Sequence, residues 1–457
     1  MGPRMKQFLD GKVTLYVGDC LEKMKEIPDN SVDSAVCDPP YHLTSIVKRF
    51  GAENAAPAIE GKTGAYARAS RGFMGKQWDG GDIAFRSDLW REVFRVLKPG
   101  AYLLAFSGTR TYHRMACAIE DAGFDIRDMP LWMYGTGFPK SHDVSKGIDK
   151  ARGKEGGKIA TGSAVKRMIP GADQNKAGWE KNNGREYQPS EYMPADDLSA
   201  EWKGWGTALK PAVEPICMAR KPLIGTVAEN VLQFGTGAIN VDGCRIETEE
   251  NLNGGAYSEN RKPSESEWVK HGGTIHSYAG REYEKPTGRW PANVIHDGSE
   301  EVVAAFPDTK SGALTPNHTD RGKEDHILGK FSGRAIEQDF GGDEGSAARF
   351  FYSAKADAHD RAGSGHPTVK PVDLMQYLVR LVTRKGGTVL DMFAGSGTTG
   401  EAAYREGMKA ILIEREEEYA RDIERRMSLV NVSDEERRIE SLKARGKIEE
   451  NAGPLFA

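Results

Sequence analysis

The sequence predicts an α/β fold, a mostly parallel sheet covered by helices on both faces. Two observations carry this. Near both ends of the chain, short apolar runs of strand length alternate with stretches of helical spacing, the order that produces parallel strands buried on both sides. Late in the chain, one such run feeds directly into a glycine turn and a helix start, Thr388-Val-Leu-Asp-Met-Phe-Ala-Gly-Ser-Gly-Thr-Thr-Gly400, the arrangement that binds ligands at the carboxyl end of a strand.

In chain order, Val13–Val17 reads as a strand, 21–27 as a short amphipathic helix and Val32–Cys37 as a second strand. Residues 88–97 place Leu89, Trp90, Val93, Phe94 and Leu97 on one helical face. Lys98-Pro99-Gly100 is expected to stop that helix before a buried strand at 101–106. A helix over 111–122 ends at Gly123. Residues 141–365 are rich in Gly, Asn, Ser and charge, with weak periodicity and long loops such as 251–289. Segment 48–76, with Lys48, Arg49, Lys62, Arg68, Arg71 and Lys76, reads as a basic loop of the same kind. The pattern then resumes with a helix at 372–383, a strand at 387–393, a helix at 397–407, a strand at 410–414 and a helix at 416–429. The remaining tail is charged and reads as helix-prone or frayed.

Composition excludes several classes. The chain has 457 residues, 28% of them charged, and a mean hydropathy of −0.58, so a soluble, cytoplasmic enzyme is expected. Its longest apolar runs, 101–106 and 388–393, are too short to cross a bilayer, and its first residues carry no apolar stretch of signal-peptide length. The cysteines Cys20, Cys37, Cys117, Cys217 and Cys244 are widely spread. They suit neither a zinc site nor a disulfide framework and read as isolated buried thiols. Net charge is −4, so nothing global announces nucleic acid. Residues 140–190, however, hold 11 Lys or Arg against 6 Asp or Glu, interleaved with Trp179 and Tyr187. That segment reads as a phosphate-tracking stretch or as a solvated loop.

Gly395, Gly397 and Gly400 match G-x-G-x-x-G, and Glu414 ends the next strand, where a carboxylate can accept from two ribose hydroxyls. The Gly-Lys-Ser/Thr ending of a nucleoside-triphosphate loop is missing. Glycine spacing alone also suits a NAD-dependent oxidoreductase. Asp391 and Phe393 favour another ligand. A carboxylate at the strand end repels a pyrophosphate and welcomes the ammonium and sulfonium of S-adenosylmethionine.

Asp38-Pro39-Pro40-Tyr41 directly follows the strand Val32–Cys37. The prolines hold Asp38 and Pro39 extended. An exocyclic base amine is a poor nucleophile because its lone pair is delocalised into the ring. The Asp38 carboxylate and the Pro39 carbonyl can each accept one N–H, freeing the lone pair, while Tyr41 offers a ring face for stacking. Transfer from a sulfonium then needs positioning rather than a covalent intermediate. No cysteine follows a proline, which argues against methylation at cytosine carbon 5. A target amine inside a duplex must be flipped out to react.

These motifs, in this order, resemble the amino-methyltransferases of DNA (adenine N6 or cytosine N4) in the β arrangement, where the catalytic motif comes first and the cofactor motif last. Asp38–Tyr41 resembles the catalytic motif and 391–397 the cofactor motif. His366-Pro-Thr-Val-Lys-Pro371 resembles the segment before the cofactor strand, implying roles beside the cofactor for His366, Thr368 and Lys370. Asp19 sits where the family places a carboxylate near the cofactor adenine, and Leu97-Lys-Pro-Gly100 resembles a later structural motif. The resemblance implies a Rossmann-like seven-stranded sheet with one reversed strand, the final hairpin falling at 126–134 and 214–220. It implies cofactor contacts from Asp19, Asp38, His366, Thr368, Lys370, Asp391, Phe393, Gly395, Gly397, Thr398 and Glu414, and catalytic roles for Asp38, Pro39, Pro40 and Tyr41.

On this reading 1–140 is the catalytic half of the core and 366–430 the cofactor half. Residues 141–365 are an insertion and target-recognition region returning to the sheet at 211–222, and 431–457 are a tail. Residues 139–207 form an unusually large insertion in the hairpin. Gly288-Arg-Trp-Pro291 and Arg349-Phe-Phe-Tyr352 combine Arg with aromatics and suit base reading, core packing or a phosphate contact. Double-stranded DNA is the implied partner, with adenine N6 the target and cytosine N4 the alternative. The resemblance leaves room for a homodimer and a cognate restriction enzyme. A non-catalytic DNA-binding module is the remaining rival.

Overall fold

A computed structural model describes residues 5–41, 82–137, 141–162, 165–167, 185–187, 189–248, 287–310, 344–354, 358–366 and 368–444. The basic segment 48–76, most of loop 251–289, Trp179, the side chain of Tyr187, Pro367 and the end of the tail lie outside them.

The framework is one 11-stranded sheet. Its strands are β1 (Met5–Phe8), β2 (Val13–Val17), β3 (Val32–Cys37), β4 (Leu97–Phe106), β5 (Asp125–Asp128), β6 (Leu131–Met133), β7 (Val213–Arg220), β8 (Val294–His296), β9 (Tyr352–Ser353), β10 (Thr388–Asp391) and β11 (Lys409–Glu414). The spatial order is β1-β2-β11-β10-β3-β4-β7-β6-β8-β9, with β5 also paired to β7. Strands β2, β11, β10, β3 and β4 run parallel, and β7 runs against β4. The expected seven-stranded core with a reversed strand is therefore present as β2, β11, β10, β3, β4, β7 and β5. The sheet is wider than expected. An antiparallel β1 caps one edge, and β6, β8 and β9 extend the other. The strand expected at 126–134 is split into β5 and β6, whereas β1, β8 and β9, of two to four residues, are too short to show alternation, which is why the sequence did not reveal them.

Residues of β4 divide the core in two. Leu104 and Phe106 face one side, with helix α6 (Val372–Val382). Leu103 and Ala105 face the other, with α2 (Ser87–Val96) and α3 (Tyr112–Asp121). Period-two alternation on a strand buried on both faces makes this two-layer packing. One boundary differs from expectation. Lys98-Pro99-Gly100 belongs to β4 itself. Beyond α4 (Val144–Ala151), helix α5 (Val227–Phe234) carries Asn230, which donates to the Pro99 carbonyl at 2.9 Å, and a Cβ on Gly100 would lie 2.3 Å from its amide nitrogen. Gly100 turns through φ 78° within the strand, where the pairing with β3 shifts register, so the glycine forms an irregularity inside β4 rather than a turn before it.

After β10 come α7 (Thr398–Arg405), β11, α8 (Glu417–Ser428) and α9 (Asp434–Ala444). Helix α9, expected as part of a helix-prone or frayed tail, is docked. Its Arg437 joins Arg426 of α8 on the Glu401 carboxylate of α7, which is 0% exposed. The cysteines are all free, and Cys117 is exposed where a buried thiol was expected. Among the described residues no group of acidic, His and Cys side chains could hold a metal, and no helix is long and apolar enough to cross a membrane.

Candidate active site

Parallel order β2-β11-β10-β3 sends four carboxyl ends to one edge of the sheet. The chain leaves those ends as Gly18-Asp19, Arg415, Met392-Phe393 and Asp38-Pro39. Open α/β sheets bind ligands outside such ends. Here they line a cavity of about 1420 Å³. A single small-molecule site occupies roughly 300–1,000 Å³, so this space suits a cofactor and a second reactant together. Every residue expected to contact the cofactor or act in catalysis lines it except Gly397: Asp19, Asp38, Pro39, Pro40, Tyr41, His366, Thr368, Lys370, Asp391, Phe393, Gly395, Thr398 and Glu414. Gly397 sits behind the turn at φ 79°, where a Cβ would meet Ile423 of α8 at 3.0 Å. Its glycine serves packing and turn geometry rather than direct contact with the cavity.

The cofactor half is built on two buried carboxyls. Asp391 Oδ1 accepts from the Phe393 backbone N–H at 2.9 Å, and Oδ2 accepts from the Thr399 hydroxyl at 2.5 Å. Glu414 accepts from the N–H groups of Gly395 and Glu416, each at 2.8 Å. Burial pushes both carboxyls up to about 7, against the backbone hydrogen bonds that favour ionisation. Gly395 adopts φ 52°, and a Cβ there would approach His366 Nε2 to 3.2 Å. The turn and the His366 ring are thus packed without spare room. His366 meets Tyr419 edge-on at 4.5 Å, and burial lowers its pKa. Asp19 caps helix α1 (Cys20–Met24) through the N–H groups of Leu21 and Glu22, at 3.0 and 3.3 Å. Two buried acids that ionise near neutral pH fit a ligand bearing cationic groups, and a carboxylate seated on β11 fits one bearing hydroxyls.

The other half centres on Lys370. Its ammonium donates to Asp38 Oδ2 at 2.5 Å, pairs with Glu214 Oε2 at 3.2 Å and lies 4.8 Å from the centre of the Phe106 ring. Burial alone would lower its pKa, but Asp38 and Glu214 outweigh that and raise it, so Lys370 stays charged. Asp38 Oδ1 is buried and has no hydrogen-bond partner among the described residues. A buried carboxylate oxygen without a donor is costly and marks a position where a ligand N–H would be accepted. Tyr41 is anchored by its carbonyl, which accepts from Thr111, and by its hydroxyl, which donates to Glu214 at 3.1 Å.

Glu214 was missed in the sequence reading. It opens the reversed strand β7, so its amino end, not its carboxyl end, reaches the ligand edge. The expected reversal of 214–220 was the available signal. Of the Arg–aromatic candidates, Tyr352 stacks on Tyr377 at 4.0 Å and donates to Asp373, while Arg349 bonds the carbonyls of Gly345 and Ser346. That pair is core packing. Arg289 lies over Phe350, and Trp290 is 65% exposed.

The pattern of the DNA methylase family matches residues 32–425. The type II methyltransferase M.HindIII of Haemophilus influenzae is 24% identical over 240 residues, 50% of this chain and 64% of its own. The type II methyltransferase M2.DpnII of Streptococcus pneumoniae is 41% identical over 66 residues, 14% of this chain and 25% of its own. The chain thus spans less than two thirds of either relative. Among solved structures, the PvuII DNA methyltransferase (cytosine-N4-specific) is 13% identical with a TM-score of 0.39, over 96% of this chain and 94% of its own. The family match runs from β3 through α8 and takes in both halves of the cavity, so the chain belongs to the DNA methylase family.

Proposed function

We propose that this protein transfers the methyl group of S-adenosylmethionine to the exocyclic N6 of an adenine flipped out of double-stranded DNA. The observation that carries this reading is the shared cavity. The orphaned Asp38 oxygen and the acid-lined glycine turn open into one space although more than 350 residues separate them in sequence. When bound, the cofactor supplies a methyl group on a sulfonium sulfur, already a strong electrophile. Asp391, Phe393, Gly395 and Thr398 would hold its methionine side with His366 and Thr368. Glu414 would hold the ribose and Asp19 the adenine end. Asp38 accepts one N–H of the target amine through Oδ1 and the Pro39 carbonyl accepts the other, while Tyr41 stacks on the base. Lys370 fixes the Asp38 carboxylate from its far side. The base must leave the duplex because its amine is out of reach while paired and stacked.

Incubating the protein with unmethylated DNA and isotopically labelled cofactor, then digesting the DNA and weighing the nucleosides, tests this. Labelled N6-methyladenine is expected. Labelled N4-methylcytosine would move the target to cytosine, and unlabelled DNA would end the reading.

Cofactor affinity should depend on pH. Asp391 and Glu414 are each half-ionised near 7 without ligand, and a cationic, hydroxyl-bearing ligand selects the ionised forms. Affinity should therefore rise between about pH 6 and pH 8, by roughly tenfold for each carboxyl that must ionise. Calorimetry in buffers of different ionisation heat should register proton release. The linkage has a definite sign. With both values raised, the folded protein binds more protons than the unfolded chain between the ordinary carboxyl range and about 7. These groups then weaken the unliganded fold as pH rises through that window, so stabilisation by cofactor should be larger at the upper end. A pH-independent affinity would remove both acids from the cofactor site.

A further inference from the structure

Glu214 has no part in the chemistry given so far, yet it touches two residues that do. Its Oε2 lies 3.2 Å from the Lys370 ammonium and accepts from the Tyr41 hydroxyl at 3.1 Å. Lys370 in turn contacts Asp38 Oδ2 at 2.5 Å and the Tyr41 oxygen at 3.4 Å. Two carboxylates and one ammonium therefore make a cluster of net charge about −1, counting the groups in their ordinary ionised forms. Without Glu214 the lysine would neutralise Asp38 alone, and the carboxylate would offer little field to a target amine.

We propose that Glu214 is a positioning residue for methyl transfer. It shares the Lys370 ammonium, keeps negative charge on Asp38 facing the amine, and fixes the ring of Tyr41 on which the base stacks. This rests on the methyl-transfer reading of the site. In that step the amine nitrogen gives its lone pair to the new N–C bond, and the C–S bond breaks with its pair going to sulfur. The surplus N–H proton passes to the Asp38 carboxylate and on to water. Positive charge thus grows on nitrogen beside Asp38, where a cluster of net charge −1 stabilises it and a neutral one does not. Nothing in the sequence marks this residue except its place at the start of the reversed strand.

The test separates charge from shape. Glu214→Gln keeps the volume and one acceptor oxygen but removes the charge, whereas Glu214→Asp keeps the charge and shortens the arm. Single-turnover methylation by Glu214→Gln is expected to fall by about 10- to 100-fold, the size typical for removing the partner of a reacting group. Cofactor and DNA dissociation constants and the melting temperature should stay near wild type, so the loss appears in kcat and not in KM. Glu214→Asp should recover part of the rate. A packing role gives the opposite order, with Gln near wild type and Asp impaired, and that result overturns the proposal. So does loss of folding or of cofactor binding in both variants, which would make Glu214 structural. If the wild-type protein itself methylates no DNA, the methyl-transfer reading fails and takes this proposal with it. If wild type and Glu214→Gln are equally fast, the proposal alone fails.

Discussion

Replacing Asp38 by alanine should reduce methyl transfer by about 10²–10³-fold or more, the scale for deleting a preorganised electrostatic partner of the reacting group. Cofactor affinity should change little, because Asp391 and Glu414 hold the other half of the cavity independently. Alanine also strips Lys370 of its 2.5 Å partner and leaves Glu214 as its remaining carboxylate among the described residues. Asp38→Asn removes the charge at constant volume and should show the same kinetic loss without that disturbance. Single-turnover assays with radiolabelled cofactor, beside calorimetric titration of the same preparations, measure both quantities. A rate within a few-fold of wild type in the Asn variant would exclude Asp38 as the acceptor for the target amine.

Replacing Glu401 by alanine should cost about 3–5 kcal/mol of folding stability, because it strands buried guanidinium groups. Glu401 and Arg426 are both 0% exposed, and Arg437 reaches the same carboxylate at 2.7 Å. Burial alone would lift the carboxyl pKa, but Arg437 and Arg426 overcome it and hold it at about 2. A depressed carboxyl pKa stabilises the fold above the ordinary carboxyl value and loses that effect as pH falls through about 2. The difference between wild type and variant should therefore be largest near neutral pH and shrink in acid. The effect should reach the cofactor as well. Arg426 donates to the Ser396 carbonyl at 2.6 Å and so ties the glycine turn to α8. Urea denaturation at several pH values gives the stability term. A loss below about 1 kcal/mol, the range of exposed pairs, would show that the cluster contributes little.

What the sequence made legible follows from period and order. Strands such as Val32–Cys37 and Val13–Val17 have the expected boundaries because each is an apolar run with a clear stop. Residues at strand carboxyl ends could be assigned to one edge because parallel connection forces it. Three kinds of feature were hidden. Strands β8 and β9, of three and two residues, carry no periodicity. Gly397 matched a ligand-binding spacing while serving the contact with Ile423, since a glycine pattern does not say which glycine faces the ligand. Glu214 and Glu401 act through partners remote in sequence, and no local pattern announces a buried ion pair. The reversed strand exposes the first and the docking of α9 completes the second.

The central claim is spatial: the Asp38 carboxylate and the glycine turn at Gly395 serve one ligand pair in one cleft. A crystal structure with S-adenosylmethionine bound tests it most directly. The expected result has the ribose hydroxyls on Glu414, the methionine ammonium near Asp391, and the methyl group directed at the open side of Asp38 Oδ1. A cofactor seated elsewhere, or one whose methyl group is walled off from Asp38, would contradict it.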